Sequence, residues 1–458
     1  MRIKFLFTVL YLLLTFCVFS QNKQILFGFS ETPQTLLLNP GAETNYKYHA
    51  GIPLFSGMSV NIGSSSLTLS DLFSPEGIFN DKVTTAINKL TPSDYGSFNA
   101  QIEVINLGYR IDDNTYISAG FYNEIDFISY FPKDVAILLN EGNAAYLNKN
   151  FSFSELIMRT DVLGVLHAGI TRKMSDRLTV GGRVKIYSSS FNMNTSNNSG
   201  TFTTTNGTNN ILAHSLNNID FVFNTSGVYD GNAVSIDGGE VATSTLLGGN
   251  LGFGLDVGLT YHVSPQLQIT ASILDFGYIS YSNKVKNKTI KGNYSFDGID
   301  FQFDSSNPDY WSDLTNDFND KVPRIDNSDS YTLMRPTKVY AGLKYSYGAS
   351  RLIKGDCYNT NYKEYYANAI GLQLFTIFRP LQPHLALTGF YEKVLGENLQ
   401  AKFTYTIDDY SFSNIGFGLS TNIGKVNSYI VVGNILDIAN ASNAKGASFQ
   451  LGMNLIFK

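Results

Sequence analysis

Histidine is scarce in this chain, and the few that exist limit the chemistry that the sequence can offer. Beyond the first twenty residues they are His49, His167, His214, His262 and His384. Their spacing matches no HExxH metal motif, and the sequence contains no GxSxG, Walker or Rossmann signature. His262 and Asp256 would share one face of an alternating strand, but such a pair is more often structural than catalytic. The sequence therefore predicts no enzyme activity, catalytic residue, metal ligand or cofactor.

Aspartate is concentrated in the segment Asp297–Asp329, where nine occur at positions 297, 300, 304, 309, 313, 317, 320, 326 and 329. Only Lys321 and Arg324 oppose them. One interpretation is a calcium site, although the spacing matches neither an EF-hand nor a glycine-rich repeat. A second is a loop that folds inward and pairs with the cations Arg183, Lys185, Lys338, Lys344 and Lys402. The third is a solvated acidic loop, and the sequence leaves all three open.

The elements that position these side chains must be strands. The 458 residues include 14% aromatic residues, only 16% charged residues and 40 glycines, a composition that suits pleated strands and turns. No apolar run of about 20 residues follows the N-terminus, which excludes a helical membrane protein. The composition also excludes a coiled coil and a charged disordered chain. The net charge of −5 and the lack of a basic stripe predict no nucleic-acid partner.

The first twenty residues have the features of a secretory signal peptide. Arg2 and Lys4 precede an apolar run over 5–19, and the small Ser20 offers a cleavage site before Gln21. Cys17 raises the alternative of a lipoprotein signal, but Phe16 before it is too bulky for the usual motif. Cleavage after residue 20 leaves Cys357 as the single cysteine, so no disulfide can stabilise the fold.

Apolar and polar residues alternate through the rest of the chain, as they do in strands with one buried or lipid-facing side. In the final segment Ala447, Phe449, Leu451, Met453, Leu455 and Phe457 share one face, and only Ile456 breaks the pattern. The same alternation occurs over 178–186, 251–262, 338–345 and 399–407. Ten such residues, tilted by about 45°, cover roughly 23 Å, close to the apolar band of an outer-membrane barrel.

Tyrosine and phenylalanine lie near many strand ends, where interfacial girdles of a membrane barrel are expected. The alternative is that tyrosine simply favours strands. The expected girdle residues are Tyr109, Tyr116, Tyr130, Tyr187, Tyr261, Tyr345, Tyr391 and Phe457.

The alternation predicts an all-β fold, a transmembrane antiparallel β-barrel of about 14 strands in the bacterial outer membrane. The first strand is long enough to kink at Pro53, and the second slips phase near Val104. The expected strands are Tyr46–Ser64, Phe98–Arg110, Thr115–Ile128, Asp161–Arg172, Arg177–Ser190, Gly249–His262, Gln266–Ser282, Pro336–Tyr347, Tyr366–Phe378, His384–Lys393, Asn398–Asp408, Phe412–Ile423, Val426–Gly433 and Ala447–Phe457.

The predicted domains are a signal peptide over 1–20 and a barrel over 21–458. Short connections over 111–114, 173–176 and 263–265 alternate with long ones, as expected for periplasmic turns and extracellular loops. The long extracellular loops are expected near 65–97, 129–160, 191–248 and 283–335. The connection 348–365 is long where a short turn is expected, and the sequence offers no account of it.

Two of these long connections contain segments with a distinctive composition or residue spacing. Residues 191–248 are rich in Asn, Thr, Ser and Gly and predict an exposed loop. Residues 70–90 have helical spacing, and they predict either a short plug helix or a surface helix.

Several short blocks of the sequence are similar to those of a known family: Asn39-Pro40-Gly41, Gly51–Leu54, Ile269–Ile279, Phe296–Asp300, Tyr331–Lys338, Ile415–Gly418 and Gly452–Asn454. On these blocks the chain resembles the uncharacterised DUF-type outer-membrane barrels of Bacteroidota, a family related to PorP/SprF and FadL-type barrels. The resemblance implies a 14-stranded barrel and no known reaction. Gly41 departs from the family's preferred Ala, and Lys458 after Phe457 weakens the usual assembly signal slightly.

Two functions fit these features. The first is a channel or transporter for a small or hydrophobic solute, with outer-membrane lipid around the wall and a small hydrophobic ligand as a possible occupant of the lumen. The alternative is a non-enzymatic scaffold, an accessory barrel of a type IX secretion or gliding-type complex that binds periplasmic or surface proteins.

Overall fold

The computed structural model describes residues 23–29, 32–208, 211–227, 238–297, 310–349, 366–396, 398–410, 414–438 and 441–457. The expected signal peptide over 1–20 lies outside these residues, and so does most of the unexplained connection 348–365.

The described strands form a closed antiparallel barrel of 14 wall strands, as the alternation predicts. The strands are β1 (Tyr48–Gly51), β2 (Met58–Ser64), β3 (Tyr95–Arg110), β4 (Thr115–Tyr130), β5 (Asn150–Ser152), β6 (Met158–Lys173), β7 (Leu178–Asn206), β8 (Leu212–Ser226), β9 (Asn250–His262), β10 (Leu267–Tyr281), β11 (Asn287–Phe296), β12 (Arg324–Asn327), β13 (Tyr331–Met334), β14 (Lys338–Ala349), β15 (Tyr366–Phe378), β16 (Pro383–Val394), β17 (Leu399–Asp408), β18 (Asn414–Ile423), β19 (Val426–Val432) and β20 (Gly446–Phe457). The first wall strand consists of β1 and β2, and the eighth of β13 and β14. Closure occurs where β20 pairs with the first wall strand, for example Tyr48 with Phe457 and Met58 with Leu451.

The apolar face of each wall strand is the outer face. On β9, Leu251, Phe253, Leu255 and Val257 are each between 42% and 53% exposed, whereas Asp256 between them is buried. In the final strand Ile456 is an apolar residue at an inward position, and there it packs against Leu36, Tyr46 and Tyr116. Closure leaves the wall without an edge strand, so backbone groups on both sides of each strand are paired.

Two irregularities in the wall change which side chains reach the lumen. The pairing of β3 with β4 shifts between Glu103 and Ile105, the phase slip expected near Val104. The pairing of β10 with β9 shifts between Ile273 and Phe276, and within this bulge Asp275 has φ +59°. A bulge re-aims side chains, and here Leu274 and Asp275 are both buried in succession.

The expected aromatic girdle is wrong at three of its eight positions. Tyr116, Tyr130 and Tyr187 are at most 2% exposed and face the lumen, whereas Tyr109, Tyr261 and Tyr345 are exposed on the outside. The prediction used nearness to a strand end, but the side that a residue faces depends on its parity along the strand.

The short connections at residues 111–114, 174–177 and 263–266 define the short-turn end of the barrel. At the opposite, long-loop end, residues 191–248 are not the simple loop that the composition suggests. There β7 continues to Asn206, pairs with β5 and β8, and β8 leads to β11 and β12. This outer sheet forms because its Thr- and Asn-rich segments still alternate and find partners from other loops.

The helices of the described residues are short, and none of them has the length and apolar character to cross a membrane. The segment 70–90 forms two of them, and the second packs against a helix of the next long connection. The surface alternative for this segment is therefore correct. The helices are α1 (Thr35–Leu38), α2 (Leu69–Phe73), α3 (Phe79–Lys89), α4 (Lys133–Asn140), α5 (Gly238–Thr243), α6 (Tyr310–Lys321) and α7 (Ile435–Ile438), with single turns at Ser244–Gly248 and Ala441–Asn443.

Candidate functional site: a charged lumen filled by the N-terminal segment

The lumen is the candidate functional site, and its wall is polar and charged. Inward positions of many strands carry ionisable side chains that are at most 4% exposed. Buried charges of this kind are costly unless they are paired and hydrogen-bonded. They are Glu103, Glu124, Asp126, Asp161, Arg183, Lys185, Asp256, Asp275, Arg335 and Lys402.

Residues 23–29 and 32–45, which we call the N-terminal plug, fill the lumen before the chain enters the wall at β1. Their apolar side chains are almost completely buried: Ile25, Phe27 and Phe29 are each 1% exposed. They pack against an apolar patch on the opposite wall, formed by Leu274, Tyr340, Phe375, Ile377, Ala386, Tyr429 and Val431. The ring of Phe27 stacks on that of Tyr340, with 4.9 Å between centroids.

The wall holds the first turn of the plug through one carbonyl group. Gln373 Nε2 and Lys402 Nζ both donate to the Phe27 carbonyl oxygen, each at 2.8 Å. Gly28 follows with φ +67°, a backbone conformation that favours glycine. The fully buried Lys402 also lies 3.3 Å from Glu392, so it compensates one charge of the wall while it positions the plug.

The second half of the plug lies in a notch of two wall glycines. Gly181 of β7 pairs directly with Gly258 of β9. A Cβ at either position would overlap the plug, at the Pro40 carbonyl oxygen or the Asn39 side chain. Thr171 Oγ1 donates to that Pro40 carbonyl at 2.6 Å. The Asn-Pro-Gly motif noticed in the sequence is therefore the part of the plug that fits into this notch of the wall.

Inside this notch, Asn39 stabilises its own turn and also forms a hydrogen bond to the wall. Its Oδ1 accepts from Gly41 N at 2.9 Å, and its Nδ2 donates to the Leu259 carbonyl oxygen at 3.1 Å. Further along the plug, His262 Nε2 lies 3.0 Å from Glu43 Oε1. The two members of the suspected pair His262 and Asp256 both face the lumen, as expected. They have different partners, however, because Asp256 pairs with Arg183 and Lys185.

Asp275, which the bulge in β10 turns inward, is the centre of an ion-pair network. Lys185 Nζ lies 2.6 Å from Asp275 Oδ1, and Lys338 Nζ lies 2.8 Å from its Oδ2. Tyr187 donates to the same carboxylate at 3.1 Å. Residues of three strands, β7, β10 and β14, thus meet at one carboxylate, which ties together parts of the wall that are distant in sequence.

The five cations expected on the inner face do face inward, but they do not pair with the acidic segment 297–329 in the described residues. Their partners are carboxylates of the wall itself. Arg183 pairs with Asp256, Lys185 with Asp256 and Asp275, Lys338 with Asp275, and Lys344 and Lys402 with Glu392. Strand alternation places both signs of charge on the inner face, so the inward cations need no distant loop.

The acidic segment has a local role where it is described. Asp317 pairs with Lys321 one helical turn away, and Asp326 pairs with Arg324. Residues 298–309 lie outside the described part of the chain. Within that part, no three His, Cys, Asp or Glu side chains gather in a way that could hold a metal ion.

Arg335, which precedes β14, provides the first testable consequence. Its guanidinium lies 2.9 Å from Glu124 and 3.5 Å from Asp161, and all three side chains are at most 3% exposed. Replacing it, as Arg335→Gln, leaves two buried carboxylates without this partner, so we expect a loss of about 3–5 kcal/mol in the free energy of unfolding. Urea unfolding followed by tryptophan or tyrosine fluorescence measures this loss.

The matched control is Arg324→Gln. That arginine pairs with Asp326 while both side chains are more than half exposed, and an exposed pair contributes less than about 1 kcal/mol. Equal effects of the two substitutions would contradict the role that we assign to the buried network.

A small cavity remains between the plug and the charged part of the wall. Its volume is about 40 Å³, room for about three water molecules. Towards the long-loop end it is bounded by Arg379, which makes two hydrogen bonds to Asp126, at 2.6 Å and 3.0 Å. The lumen is therefore closed in this structure by the plug and by an ion pair across it.

The plug is the main functional element that the sequence analysis did not identify. Its apolar residues at 25–29 and 36–38 do not alternate, so period two gives no signal. The Asn-Pro-Gly motif was visible, but only as a family resemblance. The bulge that places Asp275 was also missed, although the apolar residues move from odd positions (Ile269, Ile273) to even ones (Phe276, Tyr278), a phase slip like the one near Val104.

Comparison with known proteins identifies one family model. The model described as "Family of unknown function (DUF5723)" matches residues 40–433. No curated protein matches the sequence.

Several solved structures are similar over most of their length. A Pseudomonas aeruginosa FadL homologue has a TM-score of 0.43 and 9% identity, with 96% of this chain and 100% of that chain covered. The Ralstonia pickettii toluene transporter TbuX has a TM-score of 0.41 and 11% identity, covering 93% and 94%. The Pseudomonas putida toluene transporter TodX has a TM-score of 0.36 and 11% identity, covering 95% and 93%. Likenesses this distant assign no solute to the present chain.

Proposed function

Since the chain belongs to DUF5723, a family of unknown function, we propose from the lumen itself that the protein is an outer-membrane channel or transporter for a small solute. The observation that carries this proposal is a closed barrel whose lumen is filled by a segment that is not part of the wall. A barrel of 14 strands is wider than the eight-stranded barrels that are filled by their own side chains, and a separate segment that closes such a lumen supports a gated pore.

The outer face supports placement in a membrane. Apolar side chains cover it on strand after strand, for example Leu372 and Leu385, each 54% exposed. In water such a surface would be an aggregation site, whereas in a bilayer it is the expected lipid contact. The barrel architecture supports an outer-membrane location, because barrels of this class occur there. The relation to Bacteroidota and to PorP/SprF barrels stays a proposal.

The lining favours a polar solute over the hydrophobic one. Along the inner face, ion pairs such as Lys185 with Asp275 and Arg335 with Glu124 alternate. An apolar molecule gains nothing from such groups and would have to displace their hydrogen bonds. A hydrophobic solute would need the apolar patch that the plug now covers, which includes Phe375 and Val431.

The test is reconstitution of the purified protein in liposomes and planar bilayers. We expect a low ionic current with intermittent openings, together with uptake of small charged or polar solutes that exceeds uptake of toluene. Heat-denatured protein is the control for leaks caused by reconstitution. If neither the wild type nor a variant lacking the plug passes any current or solute, transport is excluded.

A second candidate is the non-enzymatic scaffold, an accessory barrel for secretion or gliding machinery. It is favoured by large apolar side chains at the long-loop end that no other part of the described chain covers, including Phe73 at 70% and Ile78 at 68% exposure. Co-purification of a stoichiometric partner from membranes, lost on replacing Phe73 and Ile78 by Ser, would favour this role. A monomer that conducts would argue for the channel.

A further inference from the structure

The charges of the wall around the small cavity compensate one another. Lys185 and Lys338 share Asp275, and Arg379 binds Asp126 through two hydrogen bonds. Lys338 also lies 3.7 Å from Glu124. Each wall cation that lines the cavity therefore has a carboxylate within ion-pair distance, as buried charges require.

Lys23 of the plug is different. Its ammonium lines the same cavity and donates to the Gln101 side-chain oxygen, a neutral partner. Within the described ranges it forms no ion pair with a carboxylate. An ammonium group has three donors, so two of them remain for a ligand. The plug thus brings one cation into a wall whose own charges are already matched.

The partners of the lining cations point in the same direction. Lys185, Lys338 and Arg379 pair with carboxylates of the wall, whereas Lys23 has only a neutral partner within the described residues. The volume of about 40 Å³ excludes a large molecule and suits a group the size of a few water molecules. Lysine and arginine donors converging on one small space are the usual means of binding carboxylate and phosphate oxygens.

We propose that this cavity, between Lys23 of the plug and Lys338 and Arg379 of the wall, binds a small oxyanion of the carboxylate or phosphate class. The anion supplies the negative charge that Lys23 lacks. It also couples the plug to the wall, because the same ligand contacts both. This assigns a solute class to the proposed transport function and rests on that function only for the step from binding to passage.

The experiment measures anion binding to detergent-purified full-length protein near neutral pH by isothermal titration calorimetry, with inorganic phosphate and acetate as separate probes. We expect saturable binding of at least one probe, and a weakening of about tenfold or more in Lys23→Gln, which corresponds to 1.4 kcal/mol or more. Lys23→Arg keeps the charge and is expected to retain binding. Because Lys23 lies outside the wall, the barrel should fold normally in both variants.

The matched control is Lys291→Gln, which removes an exposed lysine that pairs with Asp220 on the outer sheet. It should leave anion binding unchanged. Absence of binding to the wild type, or equal binding by wild type and Lys23→Gln, overturns the proposal. Because calorimetry needs no transport, binding through Lys23 without any solute passage would refute the channel and leave this site standing. Solute passage without anion binding would refute the anion site and leave the proposed channel standing.

Discussion

Deletion of residues 23–38 opens the lumen and raises single-channel conductance by about tenfold or more over the wild type. A barrel of eight strands is filled by its own side chains, and one of sixteen or more leaves an aqueous channel. The 14 wall strands enclose a lumen between these sizes, and the plug fills it with buried side chains such as Ile25, Phe27 and Phe29. The deletion removes these side chains, while the Asn-Pro-Gly motif and every wall strand stay intact.

Planar-bilayer recordings measure this conductance, and the shift between unheated and heated samples on SDS gels confirms that the variant is a folded barrel. The deletion uncovers the apolar patch around Tyr340 and Phe375, so some loss of stability is expected. A folded deletion variant with wild-type conductance would show that the plug is not what closes the lumen.

Gly181→Ala unseats the plug without removing it. An added Cβ at Gly181 would overlap the Pro40 carbonyl oxygen, a backbone atom that cannot rotate away. β7 is fixed by pairing with β6 on one side and β9 on the other, so the plug has to move. Overpacking of this kind costs about 1–3 kcal/mol. We expect faster cleavage of the plug by added protease and more frequent channel openings.

The control for this variant is its neighbour on the same strand. Gly182→Ala points outward, and its Cβ would approach nothing closer than the Asp256 carbonyl oxygen at 3.9 Å. Gly258→Ala, which would overlap the Asn39 side chain, should reproduce the effect of Gly181→Ala. Identical protease sensitivity of all three variants and the wild type would contradict the role that we assign to the glycine notch in holding the plug.

The wall could be predicted because the information is local. Each wall strand alternates within its own sequence, so strand number, outer face and even the phase slip near Val104 follow from period two. The kink near Pro53 also corresponds to the break between β1 and β2. Predictions failed where local position was used in place of parity, as for Tyr116 and Tyr187, which face the lumen.

The contents of the lumen could not be predicted because they depend on which strands the closed barrel brings together. Lys185 and Asp275 are 90 residues apart, and Arg335 and Glu124 are 211 apart. No local pattern joins such residues. The inward position of the cations follows from the alternation, but the sequence offers the acidic loop as their partner in only one of three open interpretations, and their partners are carboxylates of the wall.

By itself the sequence determined a wall of strands with one apolar face, because alternation is a property of neighbouring residues. Only the tertiary structure decided that the described residues of the plug lie inside that wall, that two paired glycines receive Asn39 and Pro40, and that Lys23 faces a cavity without forming an ion pair. These features arise from curvature and closure, which place distant residues around one space, and a linear pattern has no means of encoding that distance.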